Sequence, residues 1–185
     1  MPSSRVAFGV AFGGQAENAA TDIGVVMPNL SSYGQAIAST TVALQQLLAA
    51  APAQLQVTAR TPDAARTGVT GASINLFLYR DELTGYRDGR EPPGSSHNIA
   101  ELFYLVSATP GDTSDTDAVS HRAYGTARAV VQQNPVLIVP LGERTTDVQL
   151  RSHALSEENL TALWIASDAP LRLSFGVTAT FTLTG

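Results

Sequence analysis

Three histidines, His97, His121 and His153, are the side chains in this sequence best suited to bind a metal or move a proton near neutral pH. No two of them have the close helical spacing of a metal motif. With no Cys in 185 residues, a zinc site would need imidazole and carboxylate alone. They read as isolated or satisfied histidines, and neither a metal nor another cofactor is expected. Asp112, Asp115 and Asp117 superficially suggest a calcium loop, but the turn glycine and the bidentate glutamate are missing at their required offsets, so helix capping is the better account. Gly9, Gly13 and Gly14 fit neither nucleotide fingerprint, because no Lys-Ser or Lys-Thr follows them. There is no Gly-x-Ser-x-Gly elbow, and Ser152 beside His153 makes no triad, since nucleophile and base must meet in space. What remains is a loop region with Arg80, Tyr86, Arg87 and Arg90 in and beside it. Guanidinium and phenol groups of this kind anchor protein interfaces.

Composition narrows the function further. A net charge of −5 leaves no global basic field for nucleic acid phosphates. The 44% of hydrophobic residues in a chain of this length suffices for one ordinary core and is short for two. Met1-Pro2-Ser3-Ser4-Arg5 is not followed by an apolar run long enough for a signal peptide, and no stretch of about 18 apolar residues occurs. The expectation is a protein assembled in the cytoplasm, without membrane insertion and without nucleic acid.

The elements that must position these residues follow from periodicity. Val6, Phe8, Val10 and Phe12 alternate with Ala and Gly, a strand with one small face; residues 14–30 then read as a loop-rich arm. Ser32 and Gln35 have capping-box spacing, and Ile37, Thr41, Leu44, Leu48 and Ala51 make a helical stripe stopped by Pro52. A short strand near 54–59 and a turn-rich connection over 62–71 lead to a strand through Ile74, Leu76 and Leu78, which Arg80-Asp81-Glu82 is expected to end. Residues 99–108 are almost continuously apolar, the pattern of a central strand buried on both faces. Ser114 or Asp115 can cap a second helix with a stripe of Val119, Ala123, Ala127, Val130 and Val131, ending at Asn134-Pro135. Short strands over 136–141 and 147–153 precede a helix capped by Ser156, with Glu157 and Glu158 in its first turn. Last, Leu171 to Leu183 alternates apolar residues with Arg172, Ser174, Gly176, Thr178, Thr180 and Thr182, a long amphipathic strand. Helices interspersed with strands imply an α/β or α+β single domain, a mixed sheet flanked by helices.

The ordered set of Ser73-Ile74-Asn75-Leu76-Phe77-Leu78-Tyr79, Leu102-Phe103-Tyr104-Leu105-Val106, Tyr124-Gly125, Asn134-Pro135-Val136 and Leu155-Ser156-Glu157-Glu158-Asn159-Leu160 with Leu163-Trp164 resembles the cap, or tail-terminator, proteins of extracellular contractile injection systems, which are phage-tail-like particles. The likeness covers roughly Ser31 to Leu183. It implies a tail-terminator-like domain over 31–185, preceded by an N-terminal arm over 1–30 that lies ahead of the usual start of the matched region. It also implies a structural, non-enzymatic role: a six-fold ring, hence a homohexamer, on the distal end of the tube, in contact with the last tube and sheath layers and stopping their growth. No catalytic residues are carried over. The particle, and the chain with it, would be released from the cell.

On the residues alone two other readings stay open, an accessory binding module of such a particle and an enzyme with an unrecognised site. A ring subunit must bury surface against its neighbours, and the strands at the two ends of the chain are candidates for pairing outside the domain. The Thr face of the last strand, polar but uncharged beyond Arg172, suits such a contact. The candidate subunit interface is accordingly Arg80, Tyr86, Arg87 and Arg90 with Thr178, Thr180 and Thr182.

Overall fold

The computed structural model describes residues 30–51, 55–86, 97–111 and 117–184. The strand expected over 5–13, the arm up to residue 29, Pro52, Arg87, Arg90 and the caps at Ser114 or Asp115 lie outside the described residues. Helix α1 spans Leu30–Ala49. It has begun before Ser32, so the Ser32–Gln35 pair sits inside the helix and does not cap it. Its fully buried side chains are Ala36, Thr40, Leu44 and Leu48, one residue off the expected stripe at its first two positions. Small residues at 36 and 40 let the helix axis approach the sheet closely, and Ile37 and Thr41 fall to the half-buried flank.

Six strands form one sheet: β1 (Gln56–Ala59), β2 (Ser73–Tyr86), β3 (His97–Thr109), β4 (Val136–Leu141), β5 (Arg144–His153) and β6 (Ser174–Thr184). Their order is β1-β2-β3-β6-β5-β4, parallel between β1 and β2 and antiparallel elsewhere. The parallel pair needs a crossover, supplied by the turns over 62–68. Asn75 ties that crossover down from inside the sheet. Its Oδ1 accepts from Thr58 Oγ1 at 2.7 Å and from the Arg60 amide at 3.2 Å, and its Nδ2 donates to the Arg60 carbonyl at 3.0 Å. A buried Asn with both ends satisfied costs nothing in unpaired polarity.

Two strands depart from expectation. Arg80-Asp81-Glu82 does not end β2; a bulge between Leu78 and Arg80 absorbs one residue and pairing with β3 runs on to Tyr86. The charges are tolerated because the Arg80 and Glu82 side chains are about half exposed there. The last strand is not an edge. β6 pairs with β3 on one side and β5 on the other, so the idea of an unpaired C-terminal strand is corrected. Long-range pairing decides this, and alternation within the strand carries no information about it. Leu171 and Leu173 fall ahead of β6 and are 62% and 42% exposed, whereas Phe175, Val177, Ala179, Phe181 and Leu183 are buried as expected.

Helices α2 (Asp117–Gln133) and α3 (Glu157–Ala166) complete the described elements. The core lies between one face of the sheet and α1 with α2: Leu44 and Leu48 from α1, Ala127 and Val131 from α2, Leu102, Tyr104 and Val106 from β3, Phe175 and Val177 from β6. α2 stops at Gln133 ahead of Asn134-Pro135, as read from the sequence. The α3 cap is also as read: Ser156 Oγ accepts from the Asn159 amide at 3.2 Å. α1 packs against β4 and β1, the two edge strands, so the sheet curls about this helix. Gln45 Nε2 on α1 donates to the Val57 carbonyl of β1 at 2.8 Å, answering a main-chain group of that strand with a side chain. The result is a mixed α+β domain with one sheet and one core, as the pattern of elements implies.

Candidate interaction surface on the open sheet face

The face of the sheet turned away from α1 and α2 is covered only in part. α3 closes a cleft of about 370 Å³ against Tyr79 and Arg80, lined by Asn159, Ala162, Leu163 and Ala166. Trp164 of α3 is buried beside Ser107 and Thr109. Beyond α3, toward β6 and β5, no helix among the described residues covers the face, and the strand register orders its residues because side chains two apart share a face.

One row runs Arg80, Phe103, Thr178, Arg151 across four strands. The next runs Glu82, Glu101, Thr180, Gln149 and Val136. A third holds Thr84, Ile99 and Thr182. Arg80 of the candidate interface is thereby brought onto the same face as the threonines of β6, two strands away. Its guanidinium carbon sits 4.0 Å from the centre of the Phe103 ring, and its Nη1 lies 3.4 Å from Glu82 Oε1. Tyr79 tilts against the same ring at 6.4 Å, and partial burial raises its pKa.

The threonines are not equivalent. Thr178 is 6% exposed, so it floors the face. Its cross-strand neighbours Phe103 and Arg151 are large enough to cover it. Thr180 is half-buried and donates to Glu101 Oε1 at 3.4 Å, and Thr182 is exposed. Tyr86 ends β2 with its backbone opposite His97. Sequence reasoning missed Phe103, the aromatic base on which Arg80 rests, because a run of apolar residues does not announce which one faces out.

The groups with catalytic potential stay apart. His121 is exposed on α2, His97 opens β3, and His153 closes β5. Ser152 and His153 are consecutive on a strand, so their side chains point to opposite faces. Among the described residues no three His, Asp or Glu side chains group closely enough to hold a metal ion, and no helix is long and apolar enough to cross a membrane. The surface offers alternating charge, hydroxyls and one aromatic platform, which is the chemistry of protein recognition.

The family model of the Pvc16 N-terminal domain matches residues 39–184, from the middle of α1 to the end of β6. The chain belongs to this family. Among solved structures, the Pvc16-type fold of this chain is similar to the sheath/tube terminator, in its extended state, of the extracellular contractile injection system PVC. The TM-score is 0.53 at 16% identity, over 80% of this chain and 56% of that one. The tube-terminating cap of the anti-feeding prophage is similar to the same degree, TM-score 0.53 at 16% identity, over 79% of this chain and 54% of that one. The chain thus spans a little over half the length of either, and at this identity the likeness is one of fold. No curated protein matches it in sequence. The family resemblance carried by the ordered motifs is established, and the α+β fold it implied is the fold found.

Proposed function

We propose that the chain is a structural cap that closes the end of a contractile injection particle, terminating tube and sheath, and that it does so without catalysis. The observation that carries this reading is the shared fold with a sheath/tube terminator and a tube-terminating cap, in a chain that belongs to the Pvc16 N-terminal domain family. Residues 31–185 form the capping domain and residues 1–30 an arm. Copies of the chain form a ring, a homohexamer, assembled with tube and sheath in the cytoplasm and released with the particle. The open sheet face supports the reading as a contact surface, with Arg80, Thr180 and Thr182 presented on it and Thr178 beneath; Tyr86, Arg87 and Arg90 are proposed members of the same interface.

The test is deletion of the gene in the producing cell, with particle lengths measured by electron microscopy. An uncapped polymer end keeps adding or losing subunits, so tubes and sheaths of variable length are expected, restored by the parent chain supplied in trans. Particles of normal number, length and contractility in the deletion would remove the capping role.

A further inference from the structure

Among the described helices, α3 alone stands outside the main core. Leu105 and Trp164 are 1% and 4% exposed, yet neither belongs to the cluster that α1 and α2 build on the other face of the sheet. The register explains the division. Leu105 lies opposite Phe77 on β2 and Gly176 on β6, and Gly176 lies opposite His153 on β5. This row is on the α3 side, while Tyr104 and Val106, which flank Leu105, turn into the core. α3 stands over the face between Tyr79 with Arg80 and Ser107 with Thr109. Leu105 lies between Phe103 and Ser107 along β3, so α3 is what covers it. Leu105, Trp164 and Ala65 of the crossover, itself 4% exposed, form a small second cluster apart from the core.

Little besides this cluster holds the helix down. Trp164 is the buried residue of α3, Leu160 and Leu163 are half-buried, and Ile165 is 74% exposed. The cleft described above separates Ala162, Leu163 and Ala166 from Tyr79 and Arg80. No hydrogen bond or ion pair joins residues 156–169 to the rest of the described chain. Those present are internal: Ser156 Oγ accepts from the Asn159 amide, the Ser167 and Ala169 amides donate to the Leu163 and Trp164 carbonyls, and Ser167 Oγ donates to the Leu163 carbonyl at 2.7 Å. The helix therefore carries its own caps with it. Trp164 Nε1–H is buried with no acceptor among the described residues, so docking strips this donor of water without replacing the bond. Past the helix, Asp168 turns the backbone at φ 47. The chain is next held at Leu173, whose carbonyl accepts from the Ala108 amide at 3.0 Å.

We infer that α3 is a hinged cover, which lifts from the sheet as a unit while the rest of the domain stays folded. Opening breaks the second cluster, returns the Trp164 N–H to water and leaves the main core and the strand ladders intact. It adds the row Phe77, Leu105, Gly176 and His153 to the neighbouring row of Arg80, Phe103, Thr178 and Arg151. One helix thereby sets how much of this face a partner meets. The hinge is a property of the fold and stands whether or not the chain caps a particle.

Leu105 and Val106 provide the test, because they are adjacent on β3, 1% and 0% exposed, and face opposite sides of the sheet. The chain has no Cys, so Leu105→Cys and Val106→Cys each report on one side without background. Thiol labelling of the folded protein is expected to be about a hundredfold or more faster at position 105 than at 106. Urea should change the rate little at 105 and steeply at 106, since the dependence follows the surface exposed on opening. Equal rates with equal urea dependence would put both positions under global unfolding and overturn the inference. The unsubstituted chain gives an independent reading. Hydrogen exchange at the Leu163 and Trp164 amides is expected to be about a hundredfold or more faster than at the Leu105 and Val106 amides. Exchange of the α3 amides as slow as that of β3 overturns it as well.

Discussion

Tyr104 Oη lies 2.8 Å from Thr41 Oγ1, joining the middle of β3 to α1 in the core. Thr41 Oγ1 itself donates to the Ile37 carbonyl at 3.0 Å, which leaves the phenol as donor and the Thr oxygen as acceptor. The ring is fully buried, and burial pushes the Tyr104 pKa from 10.0 up to about 12.

The shift makes stability depend on alkaline pH. Above pH 10 the unfolded chain ionises this tyrosine while the folded chain keeps it protonated, so its contribution is complete below pH 10 and is lost as pH rises toward 12. The loss amounts to roughly 2–3 kcal/mol for a shift of this size. Tyr104→Phe removes the hydrogen bond, at about 1 kcal/mol near neutrality, and is expected to decline less steeply than the parent between pH 10 and 11.5. Urea unfolding across that range decides it; equal slopes would refute the assignment.

Gly176 is placed where the His153 ring lies on the β6 backbone. A Cβ at this position would meet the ring carbons Cε1 and Cδ2 at 2.7 and 2.9 Å, and Nε2 closer still. Gly176→Ala is therefore expected to cost about 1–3 kcal/mol by overpacking. His153→Ala in the same background should return much of that loss, because the clash is with one side chain. Thermal melts of the two single variants and the double variant give the coupling.

Val177 and Thr180 lie on opposite faces of β6, one buried and one half-open. Val177→Asp buries a carboxylate in the core, at a cost of several kcal/mol, and is expected to unfold the subunit. Thr180→Lys is expected to stay folded, with the Glu101 carboxylate within reach, while lowering incorporation into particles. Circular dichroism separates the first outcome from the second. A Thr180 variant that caps as well as the parent would move the interface elsewhere.

Ser156 caps α3 through the Asn159 amide, with Glu157 and Glu158 following in the first turn. Ser156→Ala is expected to cost about 1 kcal/mol, and Ser156→Asp to cost little. The emission of Trp164, the chain's one tryptophan, follows the unfolding, because this residue is buried from α3.

The sequence by itself determined what depends on neighbours within a few residues. The stop of α2 before Asn134-Pro135, the Ser156 cap, the alternation of Phe175 to Leu183 and the continuous apolar run of β3 are local signals, and each became the element it implied. The family was legible for the same reason, through the order and spacing of those segments. Tertiary structure decided what depends on partners distant in the chain. Strand order put β6 in the middle of the sheet, a bulge opposite Phe103 let β2 run past its charged residues, and close approach to the sheet turned α1 toward Ala36 and Thr40. The candidate surface exists only in that register: Arg80 and Thr180 are far apart in sequence and come onto one face because β3 lies between their strands. Period-two alternation sorts a strand's side chains into two sets, but which set is covered depends on the strands beside it and the helices above it.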